Sequence, residues 1–90
     1  MKKIKFESFF NIIKDKTFGF KGIPLNFDPD IFVNATAEFE KEKDPTIVVT
    51  NIESGFHMPY RKSTSEILFD SDNNEYILKT PDRKNIFKIY

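Results

Sequence analysis

Three short runs of β-branched and aromatic residues, separated by clusters of Asn, Asp and Pro, dominate the C-terminal third of the chain. The runs cover residues 67–69, 76–78 and 86–90. Apolar runs bounded by turn-forming residues are the sequence signature of β-hairpins. We therefore predict that residues 66–90 form a three-stranded antiparallel meander.

The turn positions set the register of this meander. The first turn is expected between Asp72 and Asn73, and the second between Asp82 and Arg83. The predicted pairs are Phe69 with Tyr76, Leu68 with Ile77, Leu78 with Phe87 and Tyr76 with Ile89. One face then carries Ile67, Phe69, Tyr76, Leu78, Phe87 and Ile89, and the other carries Leu68, Ile77, Ile86 and Tyr90. Because both faces are apolar, the second needs a helix, another sheet, barrel closure or a partner to cover it. A homodimer through this face is one solution.

The N-terminal segment has the apolar spacing of a helix. Apolar residues recur there at positions i, i+3, i+4 and i+7, namely Phe6, Phe9, Phe10 and Ile13. This period predicts a helix over residues 7–16, with Lys14 and Lys16 near its end, where cations favour the helix dipole. The alternation of residues 4–6 also permits a strand.

Residues 31–40 and 46–52 read as two further strands, separated by a charged turn that contains Pro45. The connection over residues 17–30 carries many apolar side chains, so we expect it to pack as a strand or an ordered loop. Residues 56–65 read as a longer loop. These elements predict an α+β fold, in which one N-terminal helix packs on an antiparallel sheet of about five strands that ends in the C-terminal meander.

Composition indicates one small domain over residues 1–90. The chain has eleven Phe and three Tyr but no Trp, and each buried Phe contributes roughly 1.5–3 kcal/mol of transfer free energy. It has no Cys, which excludes disulfides and thiolate metal sites. The basic N-terminus lacks a long apolar run, so we expect neither a signal peptide nor a membrane span, and a cytoplasmic location is the default.

Charge is balanced overall but unevenly placed along the chain. Residues 1–21 carry a net charge of +4, residues 22–59 carry −5 and the remainder carries +1. A strong basic patch for duplex DNA is therefore not expected, although a local basic face is compatible with these values.

No set of residues points to catalysis or to a metal. His57 is the only His, which excludes a His-rich metal site. Residues 70–74 match the start of a calcium-binding loop, but Glu75 and Pro81 stand where that loop requires Gly and a bidentate Glu. A hairpin turn is the better interpretation, and we expect no enzyme activity, no metal and no cofactor.

Residues 55–62 combine aromatic residues, Met, Arg and a rigidifying Pro, which are residue types enriched at binding hot spots. The candidate protein-binding residues are Phe56, His57, Met58, Tyr60, Arg61 and Lys62. In the alternative that stays open, Phe56 and Met58 only plug the end of the core and Tyr60 lies at its rim.

Two segments resemble the motifs of cold-shock domains. Residues 16–20, K-T-F-G-F, are similar to K-G-F-G-F, and residues 30–37, D-I-F-V-N-A-T-A, resemble D-[VI]-F-V-H-x-S-A. The resemblance implies an all-β OB-like barrel with two extra strands, in which surface aromatics stack single-stranded nucleic acid. The stacking residues that it implies are Phe9, Phe18, Phe20 and Phe32.

The sequence therefore leaves two functions open. Small size and the lack of a catalytic set favour a non-catalytic protein-binding module, of the kind used for small inhibitors, immunity proteins and phage-encoded anti-host factors. The alternative is a protein that binds single-stranded RNA or DNA.

Overall fold

The computed structural model describes residues 1–23, 28 and 30–90, and in them it shows one α-helix and a single eight-stranded antiparallel sheet. Its elements in chain order are β1 (Lys2–Ile4), α1 (Phe6–Ile13), β2 (Phe18–Lys21), β3 (Val33–Glu40), β4 (Thr46–Asn51), β5 (His57–Arg61), a 3-10 turn (Lys62–Thr64), β6 (Glu66–Asp70), β7 (Glu75–Thr80) and β8 (Arg83–Lys88). The predicted α+β class is confirmed, although the sheet has more strands than expected.

The sheet consists of two meanders, β2–β5 and β6–β8, which join through the antiparallel pair of β2 and β8. Strand β1 extends the second meander by pairing with β6. Only residues 62–65 separate the edge strand β5 from β6 near the opposite edge, so the sheet must curl strongly. Within the described residues β1 and β5 do not pair, and the sheet is not closed into a barrel.

The predicted N-terminal helix is present, and it ends earlier than expected. Phe6, Phe9 and Ile13 form its buried face, as their helical spacing indicated. The helix ends at Ile13 because Lys14 has an extended backbone, with φ of −62° and ψ of 149°, and the left-handed Asp15, with φ of 57°, then turns the chain toward β2. Lys14 therefore lies outside the last helical turn, and no basic residue interacts there with the helix dipole.

Phe87 on β8 lies at the centre of the core. Its ring is 5.0 Å from that of Phe9 on α1, at an interplanar angle of 90°, and 5.4 and 5.1 Å from those of Phe18 and Phe20 on β2. The ring of Tyr60 on β5 lies 6.4 Å away. Aromatic pairs in these edge-to-face and tilted geometries contribute about 0.5–1.5 kcal/mol beyond their buried area. Phe87 thus links the helix to both meanders.

The predicted C-terminal meander is confirmed, but its second hairpin has a different register. In the first hairpin Phe69 pairs with Tyr76, as expected. In the second, Tyr76 pairs with Phe87 rather than with Ile89. The turn is tighter than predicted because Thr80 pairs with Arg83 across two residues. Each partner shifts by two positions, so every side chain keeps its predicted face.

Two regions between the helix and the meander differ from prediction or lie outside the described residues. Residues 56–65 were expected to form a loop, yet residues 57–61 form β5 and residues 62–64 a 3-10 turn. In the predicted connection over residues 17–30, Phe18–Lys21 is a strand, whereas residues 24–27 and Pro29 lie outside the described part of the chain.

The core position of Leu78 gives a direct stability test. Leu78 is fully buried on the inner face of β7, so Leu78→Ala removes packed methyl groups and leaves a cavity. We expect the free energy of unfolding to fall by about 2–5 kcal/mol, measured by urea denaturation. The control is Lys79→Ala at the neighbouring exposed position, which should change the free energy of unfolding by less than about 0.5 kcal/mol. Equal small effects of both substitutions would contradict the assigned faces.

Candidate functional site

The outer side of β2 and β8 carries a cluster of cations and aromatic rings. Since Phe18, Phe20 and Phe87 point into the core, strand alternation directs their neighbours outward. We define the basic face by the residues that this alternation and their contacts bring together: Lys21, Phe32, Lys79, Lys84, Lys88 and Tyr90. It extends from β7 across β8 and β2 to the start of β3.

Phe32 is the half-buried aromatic centre of the basic face. The Nζ atom of Lys21 lies 5.3 Å from its ring centroid, and that of Lys88 lies 5.6 Å from it. Both distances are within the range of cation–π interactions. One ring therefore holds two ammonium groups on the same surface.

Gly19 allows Phe32 and Tyr90 to approach the strand closely. A Cβ atom at Gly19 would lie 2.6 Å from Oη of Tyr90 and 3.2 Å from Cδ1 of Phe32. The two aromatic side chains therefore meet over the backbone of β2. Tyr90 nevertheless keeps 73% of its surface exposed, so it can contact a ligand without any change in the core.

The lysines of the basic face have no acidic partner among the described residues. The ion pairs found there involve Lys3, Lys62 and Arg83. Lys79 and Lys84 are directly opposite each other on β7 and β8, and like charges in such pairs are destabilising. An anionic ligand on this face would relieve that repulsion.

A cleft of about 390 Å³ adjoins the basic face, where β2 ends and β8 begins. It is lined by Lys21, Gly22, Ile23, Arg83, Lys84 and Ile86. Three of these residues are cationic and none is acidic, while the two isoleucines add apolar surface. The cleft shares Lys21 and Lys84 with the basic face, so the two surfaces are continuous.

A buried polar network holds the end of β2 beside this cleft. The hydroxyl of Tyr60 donates to Oδ1 of Asn85 at 2.5 Å, and Nδ2 of Asn85 donates to the carbonyl of Ile23 at 3.2 Å. Gly22 has φ of 124°, and a Cβ there would lie 2.3 Å from Nδ2 of Asn85. Burial strongly raises the pKa of Tyr60, against the opposing effect of the Arg83 charge. The network thus fixes one wall of the cleft.

Most of the residues implied by the cold-shock resemblance cannot stack on bases in this fold. Phe9, Phe18 and Phe20 have 0% of their surface exposed. The physical reason is that all three rings pack against Phe87 in the core, Phe9 from α1 and the other two from β2. Phe32 alone of the four lies on the outer surface.

The predicted protein-binding residues lie on both faces of the edge strand β5 and beside it. Met58 and Tyr60 point inward and are buried, so Tyr60 is neither a contact residue nor at the rim. The exposed residues of the set are Phe56, His57, Arg61 and Lys62. Phe56 has 56% of its surface exposed and does not plug the core. The signal for this strand was the spacing of Met58 and Tyr60 between the polar residues His57 and Arg61, although Pro59 interrupts the alternation.

Two of the charged groups considered have structural roles. Nζ of Lys62 lies 2.6 Å from Oε2 of Glu7 and lowers the pKa of that carboxyl group, which connects the 3-10 turn to α1. Oδ1 of Asp70 accepts the backbone N–H of Asp72 at 3.1 Å, and Oδ2 accepts Nδ2 of Asn73 at 2.8 Å. These hydrogen bonds stabilise the hairpin turn, as expected for Asp at this position.

The comparisons with known proteins do not identify a family. No family model, no curated protein and no solved structure matches the chain. The resemblance to cold-shock domains therefore stays a hypothesis that rests on the two motifs. Within the described residues, no group of three or more His, Cys, Asp or Glu side chains could hold a metal ion, and no helix is long and apolar enough to cross a membrane.

The Tyr60–Asn85 hydrogen bond should give a pH-dependent contribution to stability. Near pH 7, Tyr60→Phe leaves Oδ1 of Asn85 without its donor, and we expect a loss of about 1–3 kcal/mol. Unfolded tyrosine ionises near pH 10, whereas burial keeps Tyr60 neutral in the folded protein. Because its folded pKa is raised, this contribution is complete below about pH 10 and declines as the pH rises further.

The measurement compares urea denaturation of the original protein and the Tyr60→Phe variant from about pH 8 to about pH 11. The difference in unfolding free energy should narrow above about pH 10, approaching a slope of about 1.4 kcal/mol per pH unit. A difference that stays constant over this range would show that Tyr60 ionises equally in both states.

Proposed function

We propose that this chain is a non-catalytic binding module whose basic face binds single-stranded nucleic acid. The observation that carries the proposal is the arrangement of Phe32 and Tyr90 over Gly19, with Lys21 and Lys88 beside the Phe32 ring. Proteins that bind single strands combine aromatic stacking surfaces with cations that follow the phosphate backbone. Both components lie together here on one accessible surface.

The shape and charge of this surface favour a single strand over a duplex. The basic face runs along β8, where Lys84 and Tyr90 are six residues apart in sequence, a distance of about 20 Å in an extended strand. Its aromatic rings can stack only on unpaired bases, which a single strand presents and a duplex does not. The exposed residues Glu38 and Glu40 lie on the outer side of β3 beyond its pairing with β2, so they limit the basic face at its Tyr90 end.

A protein partner is the second candidate, with β5 as its contact surface. This candidate is supported by the exposed side chain of Phe56, which follows an ordered turn. Oδ1 of Asn51 holds that turn by accepting the backbone N–H groups of Glu53 at 3.0 Å and Ser54 at 3.3 Å. Pro59 lacks an N–H group and so limits strand addition at this edge. Recognition would therefore depend on side chains, as in a small inhibitor or anti-host factor acting in the cytoplasm.

Self-association through the outer face is less well supported than either candidate. Ile77 is already buried on that face, and Leu68 and Ile86 are half-buried. Two copies placed face to face would also bring together the lysines of the basic face, for which the described part of the chain supplies no acidic partner. Size-exclusion chromatography with light scattering should give a monomer.

Oligonucleotide binding tests the main proposal. We expect a fluorescein-labelled oligothymidine to bind with an affinity that falls steeply with salt. Phe32→Ala and Tyr90→Ala should each weaken binding by roughly 5- to 150-fold, since one stacked base contributes about 1–3 kcal/mol. The matched control is Phe56→Ala, an exposed aromatic residue outside the basic face, which should leave the affinity unchanged.

The outcomes separate the two candidates. Absence of oligonucleotide binding at low salt would reject the nucleic-acid proposal. Equal losses in the Phe32 and Phe56 variants would reject the basic face as the binding surface. Binding of a protein partner that survives nuclease treatment and is lost in the Phe56→Ala, Arg61→Ala double variant, but not in Phe32→Ala, would support the second candidate.

A further inference from the structure

Asn34 lies on the outer side of β3, beside the two aromatic rings of the basic face. Ala35 is fully buried and Val33 packs against the core, so strand alternation directs the Asn34 side chain outward, where it is exposed. Phe32, two residues earlier, approaches the same side of the sheet at Gly19. The amide of Asn34 therefore belongs to the surface on which we place the bound strand.

Gly19 brings the aromatic rings close to this amide. Gly19 and Asn34 are directly opposite each other in the antiparallel pair of β2 and β3, where two Cβ atoms are about 4.5–5.5 Å apart. A Cβ atom at Gly19 would lie 3.2 Å from Cδ1 of Phe32 and 2.6 Å from Oη of Tyr90. The rings thus occupy the space that a side chain of β2 would fill beside Asn34. A base that stacks on either ring has its edge within reach of the amide.

Within the part of the chain that the structure describes, the Asn34 side chain makes no hydrogen bond. Its amide has two N–H donors and one carbonyl acceptor. The backbone of Asn34 is fixed, since its carbonyl accepts the N–H of Ile52 at 3.1 Å. Ile52, directly after β4, has 52% of its surface exposed and adds apolar surface on that side. The site therefore presents a donor and an acceptor together on an anchored strand.

Adenine is the base whose edges match this amide best. Its N6 amino group is a donor that lies beside an acceptor on two edges, N7 on one and N1 on the other. Asn amides bind bidentately to N6 and N7 of adenine, and unstacked bases are read on both edges while their rings stack on aromatic side chains. Guanine shows two acceptors on its N7 edge, and the pyrimidines offer a donor beside an acceptor on one edge only.

We propose that Asn34 selects adenine at the position stacked on Phe32 and Tyr90, accepting a hydrogen bond from N6 and donating one to the neighbouring ring nitrogen. The inference rests on the proposed nucleic-acid function and adds base selectivity to it. Contacts from the lysines to phosphates carry no direct sequence information, so selectivity requires a group that faces a base edge. Because Asn34 is uncharged, it contributes to selectivity and not to the salt dependence of binding.

Fluorescence anisotropy with labelled hexanucleotides tests the selection. Hexathymidine is compared with the same strand carrying one adenine at its third position, which should bind about 5- to 10-fold more tightly, the lower part of the range for a bidentate contact because water competes at this exposed site. Asn34→Ala should make the two strands bind equally and leave the salt slope unchanged. Asn34→Gln keeps the amide and should retain part of the preference. The matched control is Asn11→Ala, an exposed asparagine on α1, which should retain the full preference.

A change in the base tests the same contact without altering the protein. Replacing the adenine by purine, which lacks the N6 amino group, should remove the preference of the original protein and have no effect on the Asn34→Ala variant. The two changes are then non-additive in a double-mutant cycle, as expected for groups in contact. Free adenosine monophosphate offers only one phosphate to the lysines, so it should not displace the strand at equal concentration.

Failure of the inference and failure of the proposed function give different results. Equal binding of the two strands, or a preference that survives Asn34→Ala, rejects selection by Asn34 and leaves the function in place. A stronger preference for cytosine or guanine at the third position rejects adenine as the selected base. Displacement by equimolar adenosine monophosphate shows a free-nucleotide site and rejects the strand as the ligand. Absence of binding to every hexanucleotide at low salt rejects the function and the inference together.

Discussion

The inward orientation of Phe18, Phe20 and Phe87 is the constraint on which the rest of the structure depends. These rings meet around the axis of the curled sheet and join the two meanders to α1. Because strand residues alternate between faces, burying them directs Gly19 and Lys21 outward. The same geometry that builds the core therefore creates the basic face. A shift of β2 by one residue would expose two Phe rings and bury a lysine.

Much of the fold could be predicted because its patterns are local. Helical spacing identified α1, and turn residues identified the meander. The second hairpin register was wrong because Pro81 and Asp82 form a two-residue connection, where a longer turn was expected. The error placed no side chain on the wrong face of the sheet, because each predicted partner is displaced by an even number of residues. Strand β5 was missed because Pro59 interrupts its alternating pattern, and only tertiary pairing with β4 shows that it is an edge strand.

The candidate site was harder to predict because it is assembled from distant segments. Alternation within the meander had placed Tyr90 on the second face, but nothing local showed that Phe32 meets it over Gly19. Likewise, the contacts of Arg83 with Pro59 and Tyr60 depend on the curvature of the sheet. The cold-shock motifs assigned stacking residues from residue type alone. Whether a phenylalanine ring is exposed depends instead on the side of the strand it lies on and on the packing around it.

The central claim is that ligand binding occurs on the outer side of β2 and β8 and leaves the aromatic core unchanged. Mapping of ¹H–¹⁵N chemical-shift changes on addition of oligothymidine tests it most directly. The account predicts that the largest changes fall on the backbone amides of Gly19, Lys21, Phe32 and Lys88, while those of β5 stay in place. Changes concentrated on β5, or spread across core residues as in a global rearrangement, would contradict it.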